Sequence, residues 1–301
     1  MTANRTHAMT RRDALKAIAA AGGAFALTSA CAPAAETAAS AAKAPPPDRT
    51  PAIFLAHGSP PLLDDARWVG ELAGWARALP RPKSVLMISA HWTEAPVTLG
   101  ATKTVPLVYD FYGFPQRYYD VKYAAPGAPD LARRVRELLN GRVADDPQRG
   151  LDHGAYVPLV AMYPSADVPV LQISIPTMEP EPLIDLGRRL APLRREGVLL
   201  VGSGFLTHNL GALGSGEGGS PPAWASEFDA WTAENLARRD ADALADYRSK
   251  APGVRMALPT HEHFVPVLVA LGASLGTADA VTFPITGFTY GSFTKRSVQF
   301  G

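Results

Sequence analysis

The chain has a single cysteine, Cys31, so residues 32–301 can form no disulfide among themselves and offer no thiolate to a metal. Charge of one sign is also missing. Lys+Arg 29 against Asp+Glu 28 gives a net +1, the basic residues are scattered, and nothing forms the basic stripe of a nucleic-acid binder. No apolar run is long enough for a permanent membrane span; the longest candidate, Ala17 to Ala30, is too short. Internal repeats and late Pro/Gly/Ser linkers are absent too, so residues 51–301 are expected to form one domain around a large core.

The first 31 residues read as an export signal. Thr10-Arg11-Arg12-Asp13 precedes the Ala/Gly-rich apolar stretch, in the manner of a twin-arginine leader. Leu27-Thr28-Ser29-Ala30-Cys31 resembles a lipoprotein cleavage box, with the leucine one residue further from the cysteine than usual. A periplasmic protein, anchored by lipid on Cys31 or free after cleavage nearby, is the expectation. Removing residues 1–30 takes away Arg5, Arg11, Arg12 and Lys16 against Asp13, so the mature charge is +1 − 3 = −2. Residues 32–50 are Ala/Pro/Ser/Thr-rich and read as a flexible linker.

Three short β-branched and apolar runs each lead to a histidine. Ala52–Ala56 ends at His57-Gly58-Ser59-Pro60, Ser84–Ala90 at His91-Trp92, and Val198–Val201 passes through Gly202-Ser203-Gly204 to His208. Such runs suit strands buried on both faces. Helices are expected at 65–78, 129–140, 155–163, 181–195 and 223–239, with a short one following, and a further strand at 168–175. A helix opening at Thr260 and running to about Leu271 would place His261 at its start. Residues 281–301 alternate as one or two closing strands, and 210–222 form a Gly/Ser-rich mobile loop. The fold class is therefore α/β, a mostly parallel or mixed central sheet flanked by helices. Its ligand site is expected at the carboxyl ends of the strands.

Six histidines lie beyond the leader: His57, His91, His153, His208, His261 and His263. Five sit beside Gly, Ser, Asp or Glu at element ends, which suits imidazoles converging on one ion. With no thiolate available, Zn(II), Fe(II) and Mn(II) remain as candidates. Glu262 is a nearby carboxylate, and Asp110 and Asp152 are candidates to hydrogen-bond a ring nitrogen. Residues 93–128, dense in Tyr and Phe, suit either a pocket wall for a flat substrate or a loop packed by its own rings.

His57-Gly58-Ser59-Pro60, Ser89-Ala90-His91-Trp92, Asp110-Phe111-Tyr112-Gly113-Phe114-Pro115, Asp152-His153-Gly154, Ser203-Gly204 with His208-Asn209-Leu210, and Glu262-His263-Phe264 with Pro266 together resemble the class III extradiol ring-cleavage dioxygenases. The resemblance is to the DOPA 4,5-dioxygenase-like branch and runs from about Pro51 to the C-terminus. It implies one divalent ion per chain, Fe(II) for catalysis or Zn(II) as bound, and a small aromatic diol and O2 as substrates. His57, His91 and His263 match metal ligands. His208 matches a histidine that is a ligand or an acid/base, and His153 matches a second catalytic histidine that contacts substrate. In protocatechuate-cleaving relatives the third protein ligand is a glutamate, whereas here His263 holds the matching position with Glu262 beside it. His261 stands where the branch commonly has proline, and an export leader is unexpected in a family that looks cytoplasmic. A zinc hydrolase using the same histidines, or a non-catalytic metal-binding surface protein, are the alternatives.

Overall fold

A computed structural model describes residues 48–214 and 220–301. The leader, Cys31, most of the linker and residues 215–219 of the Gly/Ser-rich loop lie outside the described residues. Among the described residues no helix is long and apolar enough to cross a membrane.

The strands in chain order are β1 (Ala52–Ala56), β2 (Ser84–Thr93), β3 (Thr98–Leu99), β4 (Ala144–Asp145), β5 (Val170–Ile175), β6 (Val198–Gly204), β7 (Val281–Ile285), β8 (Phe288–Thr289), β9 (Phe293–Thr294) and β10 (Ser297–Phe300). Eight of them form one mixed sheet in the order β4-β3-β5-β2-β6-β1-β10-β7, while β8 and β9 pair as a separate hairpin. The central four, β5, β2, β6 and β1, are parallel, and β10 and β7 extend the β1 edge antiparallel. The C-terminal segment thus contributes four short strands where one or two were expected.

Alternation along the central strands sorts side chains onto two cores. Phe54, Leu86, Ile88 and Leu200 face one; Ile53, Leu55, Val85, Met87, Leu199 and Val201 face the other. The helices are α1 (Ala66–Ala78), α2 (Pro129–Leu138), α3 (His153–Met162), α4 (Pro180–Leu190), α5 (Ala223–Arg238), α6 (Ala241–Ala245), α7 (Tyr247–Lys250), α8 (Val254–Ala257) and α9 (Pro266–Ser274). Trp68, Leu72 and Trp75 bury one stripe of α1 in the second core beside α3. Helices α4 and α9 cover the opposite face and meet through glycines: a Cβ on Gly187 would sit 2.1 Å from the Val269 carbonyl oxygen. Gly187→Ala must push these helices apart, with an expected loss of about 1–3 kcal/mol in denaturant unfolding.

One helix start differs from expectation. Residues 260–265 form turns, with the Phe264 and Val265 amides bonded to the His261 carbonyl, and α9 begins at Pro266. Proline has no N–H to give and a φ already set for the first helical position, so Pro266 marks the start and Thr260 caps nothing.

Candidate metal centre

The strand register brings the histidines to one rim. Ala56 lies opposite Gly204 across β1 and β6, and Ser89 lies opposite Ser203 across β2 and β6. His57 leaves β1, His91 lies near the end of β2, and His208 follows β6. His153 is the first residue of α3, and His263 sits in the turn before α9, its carbonyl accepting from the Phe205 amide at 2.9 Å. His57, His153 and His263 are buried, while His91 and His208 are partly exposed.

Four of these rings have one nitrogen committed. The Ser203 hydroxyl donates to the Gly154 carbonyl, so at 2.9 Å from His57 it accepts from the ring Nδ1–H. The carbonyl is available because the residue four further along α3 is Pro158, which has no N–H to close the helical bond. Asp110 accepts from His153 Nδ1 at 2.8 Å and lies 3.2 Å from His91 Nδ1. Glu262 accepts from His263 Nδ1 at 3.0 Å and from the Thr260 hydroxyl at 2.8 Å. Each of these rings is left with Nε2 free to serve as a ligand.

His57 Nε2 and His91 Nε2 are 3.2 Å apart. At this spacing either one ring's Nε2–H donates to the other's lone pair or both lone pairs face one cation. Two nitrogens each bound about 2.0–2.1 Å from one ion stand roughly 3.0–3.4 Å apart, so the pair is spaced as ligands of a single cation. One nitrogen each of His57, His91 and His153 lies within 4.8 Å of the others, and His208, Glu262 and His263 form a second such group. His263, in the second group, has its ring centroid 5.4 Å from that of His57 and 4.9 Å from that of His91. The donor set fits a divalent ion of intermediate hardness.

Electrostatics agree. Burial, aided by the neighbouring imidazoles, holds His57 well below the usual histidine range. Burial also lowers His263 to about 4 and His208 to about 3. Burial works against ionising Asp110, but hydrogen bonds from His153 and His91 outweigh it and hold the carboxyl far below its ordinary value. Glu262 follows the same balance: burial is outweighed by His263, its own backbone and Thr260, and the carboxyl falls to about 2. Neutral imidazoles backed by two carboxylates suit a dication.

The sequence residues are placed as follows. His57, His91, His153, His208 and His263 come together, with Glu262 and Asp110 behind them. Asp110 braces two rings at once. Asp152 does not reach a ring. It caps α3 at the Ala155 amide and takes bonds from Ser89 and Gln172, because a buried carboxylate at a helix start is drawn to its free amides. His261 lies beside Tyr247, ring centroids 5.5 Å apart. His208 stacks on His263 at 3.5 Å with 5° between the planes. Parallel stacked rings do not aim their in-plane lone pairs at one point, so His208 and His263 do not both ligate the same ion. Gly154 is also required: a Cβ there would stand 2.4 Å from Ser89 Oγ and 2.9 Å from His91 Cδ2.

A cavity of about 640 Å3 opens over the rings, walled by Phe111, Tyr112 and Phe114 of the aromatic segment. Tyr109, Tyr118 and Tyr119 of that segment pack among its other rings, so both expectations for residues 93–128 hold. Sequence reasoning missed the rest of the wall, Phe205, Tyr290 and Phe293, and the Ser203 brace. The Gly-Ser-Gly at the end of β6 was the available signal for Ser203. Asp110→Asn leaves an amide that cannot accept from both rings in the same way, so metal affinity should fall about 10–100-fold by competition with a chelator while the fold is retained.

Known proteins resemble this chain over nearly all of its described length. Residues 53–301 match the family described as the catalytic LigB subunit of aromatic ring-opening dioxygenase. The chain is 39% identical over 260 residues to the 4,5-DOPA dioxygenase extradiol of Escherichia coli K12, covering 84% of this chain and 95% of that one. It is 41% identical over 237 residues to the protein of the same name from Beta vulgaris, covering 74% and 86%. A crystal structure of an uncharacterised protein from Escherichia coli K12 superposes with a TM-score of 0.73 at 36% identity, covering 84% of this chain and all of that one.

Proposed function

The chain belongs to the LigB family of class III extradiol dioxygenases, and from that we infer that its clustered imidazoles serve the opening of a catechol ring by O2 beside the two hydroxyls. The observation that carries the site assignment is the His57–His91 pair, two braced nitrogens spaced as ligands of one ion. His57, His91 and His263 would hold the metal through Nε2. When bound, the metal supplies the redox centre at which diol and O2 meet.

The residues around it do the rest. His208, held neutral by burial, can accept a proton from a catechol hydroxyl and later return it. A catecholate beside it would raise its pKa toward the working range. His153, fixed by Asp110 through Nδ1, has its Nε2 side free to hydrogen-bond the substrate. Phe111, Phe114 and Phe293 suit the faces of a flat ring and exclude water. The relatives' names point to a DOPA-like diol as the reference substrate, and Fe(II) is the ion matched to O2 chemistry, with Zn(II) the competing occupant. The twin-arginine leader supports export, so the reaction would run in the periplasm; cell fractionation checks this.

The test is O2 uptake by protein loaded anaerobically with Fe(II), over a panel of substituted catechols. Stoichiometric O2 consumption with a ring-opened, coloured product is expected. Hydrolysis of esters or amides without O2 uptake would instead support a zinc hydrolase.

A further inference from the structure

Five large apolar side chains are exposed among the described residues: Tyr112, Leu210, Leu213, Met256 and Tyr290. All but Met256 line the cavity above the histidines. Scattered exposed apolar residues are ordinary; their gathering at the mouth of one cavity is not. Tyr112 is 91% exposed, Leu210 65% and Leu213 54%, while Phe114, Pro60 and Pro61 continue the same lining inward. Tyr290 is fixed over this mouth by a 2.8 Å hydrogen bond to the Ser59 hydroxyl.

Charge at this site is distributed to one end. The lining residues include no lysine or arginine, and the only carboxylate among them is Glu262, already engaged by Thr260 and His263. Three cations on neighbouring segments are engaged elsewhere. Arg117 pairs with Asp64, Lys122 lies over the Tyr109 ring, and Arg149 bonds the His91 carbonyl and Asp152. Among the described residues, the cavity therefore has a polar floor of imidazoles and an apolar mouth whose lining supplies no counter-ion for an anion. A carboxylate on the substrate's side chain would be drawn from water without a partner.

Resting on the ring-opening reading above, we propose that the natural substrates are catechols whose ring substituent is uncharged and apolar, alkyl or aryl. The diol enters toward the histidines and the substituent covers Leu210, Leu213, Tyr112 and Tyr290. The amino-acid side chain of DOPA meets no complementary charge here.

The full chain, loaded anaerobically with Fe(II), is assayed by O2 uptake with 4-propylcatechol, 3-(3,4-dihydroxyphenyl)propanoate, DOPA and dopamine. The same compounds are titrated without O2 by calorimetry. kcat/KM for 4-propylcatechol should exceed that of each charged compound by about tenfold or more, mostly through KM, and the calorimetric Kd values should follow the same order. Leu213→Lys should narrow the gap by weakening 4-propylcatechol and improving the propanoate. Equal or better turnover and binding of any charged catechol overturns the proposal and leaves ring opening intact. Preferential binding of 4-propylcatechol with no O2 uptake from any compound overturns the ring-opening reading and leaves the preference intact.

Discussion

Replacing His57 with alanine should abolish stoichiometric metal binding, a fall of more than about 100-fold in affinity. His57 is only 1% exposed, and its ring is clasped by Ser203 on one side and faces His91 on the other. His91 is then left without the ring nitrogen 3.2 Å from its own Nε2 that completes the pair. Inductively coupled plasma analysis after anaerobic loading reads the loss. Circular dichroism should stay unchanged, because the vacated space lies at the sheet rim rather than in either core. Ser203→Ala provides a graded comparison: the ligand remains but its brace is gone, so the deficit should be smaller, about 10–100-fold. Variants with undiminished metal content would remove His57 from the ligand set.

His208→Phe should leave metal content near wild type and lower ring-opening turnover by about 10²–10⁴. The phenyl ring can keep the stacking on His263 and the contact with Phe293, where the ring centroids are 5.0 Å apart, but it cannot carry a proton. This separates the two roles that the sequence left open. A ligand lost at position 208 would reduce bound metal in step with activity, whereas a lost base spares the metal. O2 uptake that survived the change would end the acid/base assignment.

Much of this centre was legible because its positions are set by short-range rules. The apolar runs of β1, β2 and β6 are short and uninterrupted, so strands buried on both faces could be read directly, and each run led to its histidine. Aromatic and leucine spacing gave α1 within a residue. The start of α9 was misplaced because Thr260 and Pro266 both carry helix-start signals, and tertiary turns about His261 decided between them. Asp152 looked like a ring partner from its place beside His153, yet a residue immediately before a helix is better placed to cap it. What no local rule could supply was contact across the chain. Pro158 frees the Gly154 carbonyl, the carbonyl takes the Ser203 hydroxyl, and that hydroxyl fixes His57. The far wall likewise comes from Tyr290 and Phe293, more than two hundred residues after His57.

An anaerobically grown crystal of the Fe(II)-loaded protein would settle the geometry on which all of this rests. An anomalous iron peak is predicted at one position per chain, about 2.0–2.3 Å from both His57 Nε2 and His91 Nε2. A peak elsewhere, or none at that point in crystals shown to contain iron, would contradict the assignment.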